Sequence, residues 1–225
     1  MSIIVAISKV NDGNMLIRDD KLNPDVINNR KSFLDKNDID ILRTTKVSTV
    51  YDTDDYCRYI EVSRNKLGDG MIDVETFSSD ALITKDLDHA LFLPIADCIG
   101  AAIFDPINNT IMMTHLGRQN LEQNGGYKSI RHLVDNFNAD PSELLVWLTP
   151  APGVESYPVF SLSNRSLKSI AHEQLLSAGV ILKNINDNTA DTSSNVEYFS
   201  HSEFLKGNRS SDGRFAIVIM MKKED

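Results

Sequence analysis

Residues 91–118, LFLPIADCIGAAIFDPINNTIMMTHLGR, constrain the fold of this chain more than any other stretch. The run is apolar almost throughout, yet Pro94 and the pairs Asp97-Cys98, Asp105-Pro106 and Asn108-Asn109 interrupt it. Such punctuation is incompatible with one long helix and reads as buried strands separated by tight breaks. We expect two strands joined by a tight turn: an apolar run over 91–104 broken at Asp97-Cys98, a turn at 105–109, and a return strand over 111–113 that ends at Thr114-His115. Polar residues at the ends of buried strands have a fixed backbone and a side chain free to face a cleft. Cys98 is one of 2 cysteines and His115 one of 5 histidines, so their placement at two such breaks makes them a candidate shared site.

The rest of the chain alternates strands and helices. Residues 3–7 form a β-branched run, and Asn23-Pro24-Asp25 opens a helix to about Asp35 with a cap and a first-turn proline. Residues 39–51 read as a strand in part, followed by the polar turn Asp52-Thr53-Asp54-Asp55. Gly125-Gly126 lead into a helix with Ile130, Leu133, Val134 and Phe137 on one face, and 144–148 is a buried strand. A helix opened by Ser163-Asn164 carries Leu167, Ile170, Ala171 and Leu175, and Gly179 ends it. Residues 180–185 and 215–221 read as strands. Strands before, between and after helices, without repeat or linker, predict a mixed-sheet α/β or α+β fold in a single domain over 1–225.

With 225 residues and a formal net charge of −9, the chain lacks the basic face that nucleic acid requires. Two cysteines make no disulfide framework, and the N-terminal apolar run lacks the basic flank of a signal peptide. No apolar run is long enough to span a membrane. These features lead us to expect a cytoplasmic protein with a small-molecule partner, no nucleic acid and no membrane. The residues give no reading of oligomeric state.

Several chemistries fit Cys98 and His115. A thiolate and an imidazole suit zinc, which needs a third protein ligand if one position stays open to water. Alternatively Cys98 is a nucleophile, His115 its base and Asp97 or Asp80 the orienting group. Arg118 and Arg214, each beside a glycine, are candidate phosphate or carboxylate clamps. The chain has no P-loop, G-x-G-x-x-G, H-E-x-x-H or G-x-S-x-G motif. Five scattered histidines are too few for a multicopper cluster.

Asp80-Ala81-Leu82-Ile83-Thr84, Ala96-Asp97-Cys98, Asp105-Pro106 and His115-Leu116-Gly117 occur in that order. Asn29-Arg30 precede them, and Tyr198-Phe199-Ser200-His201 and Gly213-Arg214-Phe215-Ala216 follow. In this ordered set the chain resembles the laccase-domain family, also called YfiH-like or polyphenol oxidase-like, over nearly its whole length. The resemblance implies a single-domain mixed β-sheet sandwich with flanking helices and a zinc site at the end of a sheet; copper is the lesser candidate. It also implies purine nucleoside chemistry: phosphorolysis of adenosine or inosine, and adenosine deamination. Cys98 and His115 correspond to two of the family's metal ligands, with Asp97 beside them, and Arg118, Arg214 and His201 are the corresponding substrate-binding candidates.

The chain departs from the family at two points. The family's first ligand is the histidine of a Q-V-H-G motif, and residues 45–57 contain no histidine. Counting back from Val62 places Asp55 at that position, with Asp54 and Cys57 as other competent donors. The tryptophan that follows the family's H-x-G is also missing, so the parts that contact purine and phosphate are expected to differ.

Overall fold

The computed structural model describes residues 1–17 and 23–224. Two mixed sheets pack face to face. The first has the order β1 (Ser2–Ile7), β10 (Phe215–Lys222), β5 (Ala90–Ile95) and β2 (Thr44–Lys46). β10 runs antiparallel to both its neighbours, and β2 runs parallel to β5. The second has the order β3 (Tyr59–Glu61), β4 (Ala81–Thr84), β7 (Thr110–Leu116), β6 (Ile99–Asp105), β8 (Leu145–Leu148) and β9 (Ile185–Asp187).

The period-two alternation of the strands sorts their side chains into layers. Ile217, Ile219 and Met221 of β10 meet Leu82, Ala102, Phe104 and Met113 between the sheets. The alternate residues Ala216, Val218 and Met220 face Phe33 and Leu34 of helix α1 (Pro24–Asp35). On the far side of the second sheet, Ile99, Ala101, Ile103 and Met112 pack on Ile130 and Leu133 of α3 (Gly125–Phe137) and on Leu167 and Ile170 of α4 (Leu167–Ser177). Helix, sheet, sheet and helix therefore stack in that order. Each fully buried aliphatic side chain contributes about 1.5–3 kcal/mol, so layered burial holds the two strand ends described below in place.

The expected elements mostly form. Asn23 caps α1 by accepting from the backbone N–H groups of Asp25 and Val26, with Pro24 in the first turn. The expected hairpin over 99–116 is β6 paired to β7, with Asp105 opposite Thr110. Four expectations need correction. The expected first strand of the hairpin is two strands in different sheets: β5 ends at Ile95 and pairs with β10 and β2, and β6 begins at Ile99. The chain crosses between sheets at 96–98. Within 39–51 only Thr44–Lys46 is strand, because β2 is the edge of its sheet and the chain then leaves it. In 180–185, the Val180 N–H bonds the Leu175 carbonyl and closes α4, so the strand starts at Ile185. Ser163 and Asn164 adopt positive φ, and Ser166 is the residue that caps α4. Among the described residues no helix is long and apolar enough to cross a membrane.

Candidate functional site

The crossing at Ala96-Asp97-Cys98 sets the position of the thiol. Asp97 sits at φ 70, a conformation that aspartate tolerates better than most residues. Both its carboxylate oxygens are committed. Oδ1 accepts from the Thr192 hydroxyl at 3.0 Å, and Oδ2 accepts from the Ser202 N–H at 2.7 Å. Ser202 lies in the first turn of α5 (His201–Leu205). Asp97 therefore ties the crossing to α5 and to the 192 loop, and its chemistry is spent on position. Two residues further on, Gly100 has no room for a side chain: a Cβ there would lie 2.7 Å from Ile217 of the opposite sheet.

His115 comes from β7, opposite Gly100 of β6. Its N–H donates to the Asp80 carbonyl at 2.8 Å. The Asp80 carboxylate is buried and paired with the Arg58 guanidinium at 2.8 Å. Gly117 separates β7 from α2 (Arg118–Glu122). A Cβ at Gly117 would lie 2.7 Å from His115 Cε1, 3.0 Å from its Nε2 and 3.1 Å from Cys98 Sγ. The structure thus brings Cys98 and His115 together over the open face of Gly117, as expected.

Burial sets the protonation of both groups. It pushes the Cys98 thiol up to about 12, with Asp97 adding to the rise and Arg118 opposing it. It pushes His115 down to about 4, with Asp80 opposing the fall. A neutral thiol beside a neutral imidazole is not an activated nucleophile. The carboxylates expected to orient the base, Asp97 and Asp80, are engaged elsewhere. The cysteine-hydrolase reading therefore does not fit this arrangement.

Cys98 and His115 line a cavity of about 670 Å³, within the usual range for small-molecule sites. Arg118, Arg214 and His201 also line it, as the sequence suggested, together with Asp97. His201 Nδ1 and the Arg214 guanidinium both contact Asp212 Oδ1, at 2.9 and 2.8 Å. Sequence reasoning missed Lys46, Ser48, Tyr51 and Tyr157, which complete the wall. Lys46 is buried and 3.3 Å from Glu75. The Tyr51 ring stands edge-on to His115, with centroids 6.3 Å apart.

Asp55 is not part of the cavity wall. It is exposed, and its Oδ1 accepts from the Cys57 N–H at 2.9 Å. Gln123 holds the neighbouring turn, donating to the Asp54 carbonyl and accepting from the Tyr56 N–H. Asp54 and Cys57 are likewise absent from the cavity wall. The chain reaches the cavity earlier, where Val47 and Ser48 run on from β2. Ser48 therefore lines the cavity that Asp55 does not reach. The Ser48 hydroxyl and His115 Nε2 are both buried with no hydrogen-bond partner.

Among the described residues no group of three His, Cys, Asp or Glu side chains is placed to hold a metal ion. Catalytic zinc takes three protein ligands; among the described residues of this wall Cys98 and His115 converge, while Asp97, His201 and Glu75 are engaged by Thr192 and Ser202, by Asp212 and by Lys46. The donors present do not fit the expected zinc centre. Copper fares no better, because His115 and His201 are the only histidines of the five on the cavity wall. His89 bonds Thr45, His132 packs on Tyr59 and His172 bonds Asp187.

A family model described as multi-copper polyphenol oxidoreductase laccase matches residues 8–165. No curated protein matches the chain. Among solved structures, the fold is similar to that of a Bacillus licheniformis hypothetical protein, YfiH, with TM-score 0.86 and 18% identity over 98% of this chain and 93% of that one. YlmD from Geobacillus stearothermophilus is similar at TM-score 0.86 and 21% identity, covering 98% and 92%. The Neisseria meningitidis protein NMB0706, of family model DUF152, is similar at TM-score 0.72 and 17% identity, covering 98% and 95%.

Proposed function

Because the chain belongs to the multi-copper polyphenol oxidoreductase laccase family, whose YfiH-like resemblance implies purine nucleoside chemistry, we propose that its cavity binds a purine nucleoside with inorganic phosphate and cleaves the glycosidic bond by phosphorolysis. The observation that carries this reading is Arg118. It lies on the cavity wall beside Cys98, is exposed, and has no ion-pair partner among the described residues. An unpaired guanidinium at a cavity is suited to an oxyanion. Arg214 adds a second cation, moderated by Asp212. Tyr51 and Tyr157 supply aromatic surface for a base.

The donor set favours phosphorolysis over deamination. Deamination needs a strongly activated water to attack the purine ring, and among the described residues no three-ligand metal group is present. Phosphorolysis needs phosphate held in line with C1′ and a leaving base that can take a proton. A phosphate oxygen bonds C1′, the C1′–N9 bond breaks with its electron pair going to the base, and the proton that phosphate gives up ends on the purine. In this scheme Arg118 and Arg214 position phosphate, and the tyrosines orient the base.

The test is release of hypoxanthine from inosine, or adenine from adenosine, by the purified full chain with and without phosphate. Phosphate-dependent release is expected, and Arg118→Ala is expected to raise the KM for phosphate about 10-fold or more, from loss of a charge-assisted contact of roughly 1.5–3 kcal/mol. Nucleoside binding without any turnover would refute the catalytic part. Neither binding nor turnover would refute the whole reading.

A further inference from the structure

The floor of the cavity holds an unexplained arrangement of buried polar atoms. Ser48 and His115 are each 5% exposed, and the hydroxyl of one and Nε2 of the other have no partner. Their backbones are linked through one dipeptide: the Ser79 N–H donates to the Ser48 carbonyl at 2.9 Å, and the His115 N–H donates to the Asp80 carbonyl at 2.8 Å. Cys98 Sγ and His115 Nε2 converge over Gly117 on the same cavity. Leaving a buried polar atom unpaired is costly, and two of them on one cavity wall point to a ligand that pairs both.

The chemistry of the donors selects that ligand. A metal ion would engage Cys98 and His115, but the neutral Ser48 hydroxyl is not among the side chains that hold zinc. A hydroxyl group, by contrast, donates and accepts. Neutral imidazole offers either role at Nε2 according to its tautomer, and the serine hydroxyl rotates to offer either. We propose that Ser48, Cys98 and His115 form a metal-free hydrogen-bonding floor for a ligand hydroxyl, in the place where a third donor at residue 48 would make a metal centre. The nucleoside reading enters only in the choice of probe, since a ribose supplies such hydroxyls.

Two measurements test this, and they are independent. In the first, the purified full chain is loaded with zinc, dialysed and assayed for metal, beside Ser48→His and Ser48→His/Cys98→Ala. The wild type is expected to retain no stoichiometric zinc, Ser48→His to retain about one ion per chain, and the double variant to lose it. Ser48→Cys supplies a smaller third donor if the histidine impairs folding. Stoichiometric zinc in the wild type that depends on Cys98 and His115 would overturn the proposal. So would folded Ser48→His and Ser48→Cys chains that both stay metal-free, because residue 48 would then not be the third position.

In the second, inosine binding is measured by calorimetry with and without a chelator. Ser48→Ala is expected to weaken binding roughly 2- to 12-fold, as one net hydrogen bond allows, and the chelator to change nothing. Unchanged affinity in Ser48→Ala would overturn the role of the hydroxyl. If inosine does not bind the wild type, the nucleoside reading fails while the zinc result still decides whether the floor is metal-free.

Discussion

Gly117→Ala is the most economical probe of the site, because it adds one methyl group and removes nothing. Gly117 has φ −85 and ψ 175, a backbone that alanine adopts freely, so any effect is steric. The new methyl would sit 2.7 Å from His115 Cε1, 3.0 Å from Nε2 and 3.1 Å from Cys98 Sγ. Comfortable contacts between such atoms are about 3.5–4.0 Å, so the neighbours must retreat by several tenths of an ångström. His115 has little freedom to do so: it is buried, lies in β7 and is held by its N–H bond to Asp80. Overpacking of this kind costs about 1–3 kcal/mol. Urea denaturation should show a lower midpoint with an unchanged slope, and calorimetry should show inosine binding weakened about 10-fold or more as the methyl fills the polar floor. A Gly117→Ala chain with wild-type midpoint and wild-type affinity would mean that Cys98 and His115 do not converge over residue 117.

The remaining predictions concern stability and the anchoring of the crossing. Burial depresses both His89 and His115 from 6.5 to about 4. The unfolded chain therefore binds protons that the folded chain refuses, and their contribution is fully present above pH 6.5 and lost as pH falls toward 4. The loss is on the order of 3 kcal/mol per histidine. Urea midpoints for wild type and His89→Gln should converge in acid, and parallel pH profiles would count against the assignment. Asp97→Ala removes the acceptor for Thr192 and for the Ser202 N–H. A loss of about 1–3 kcal/mol is expected, with faster amide exchange confined to α5 and the 192 loop; exchange unchanged there would refute the anchoring role. Breaking the Arg58–Asp80 pair with Arg58→Met leaves a buried carboxylate without its counter-charge, held by the residue 58 backbone N–H, and should cost about 3–5 kcal/mol in a denaturation assay. A cost near zero would show that solvent already screens Asp80.

Much of the scaffold was legible because its signals are local. Asn23-Pro24 start α1, apolar runs and the Asp105-Pro106 turn define β6 and β7, and an apolar stripe defines α3. The convergence of Cys98 and His115 was also legible, since a hairpin returns its end to its start. What escaped was tertiary. Residues 90–95 are buried on both faces, and a continuous apolar run says nothing about which sheet a strand joins. Lys46 and Tyr157 reach the cavity from distant elements with no motif to mark them. Asp55 was chosen for a chemical reason and lies off the cavity wall. A search for metal ligands passes over serine and stops at Asp55, although the structure carries the chain past the cavity at Ser48 and out to solvent by residue 55.

The fold explains how such a site can lose a donor without losing its shape. The contacts that hold the backbone around Cys98 and His115 are made by other atoms: Asp97 to Thr192 and Ser202, the His115 N–H to Asp80, Asp80 to Arg58, Gly100 to Thr149. None of these bonds uses Sγ or Nε2. The backbone of residue 48 is held in the same way, through its carbonyl and the Ser79 N–H, and that bond is indifferent to the side chain. A substitution of Ser48 therefore changes what the cavity can hold and leaves the walls in place. The chemistry of the site is set by three side-chain termini, and the architecture around them by backbone groups and second carboxylates. That division leaves the walls indifferent to the side chain at residue 48, so the proposed polar floor can be tested there without disturbing them.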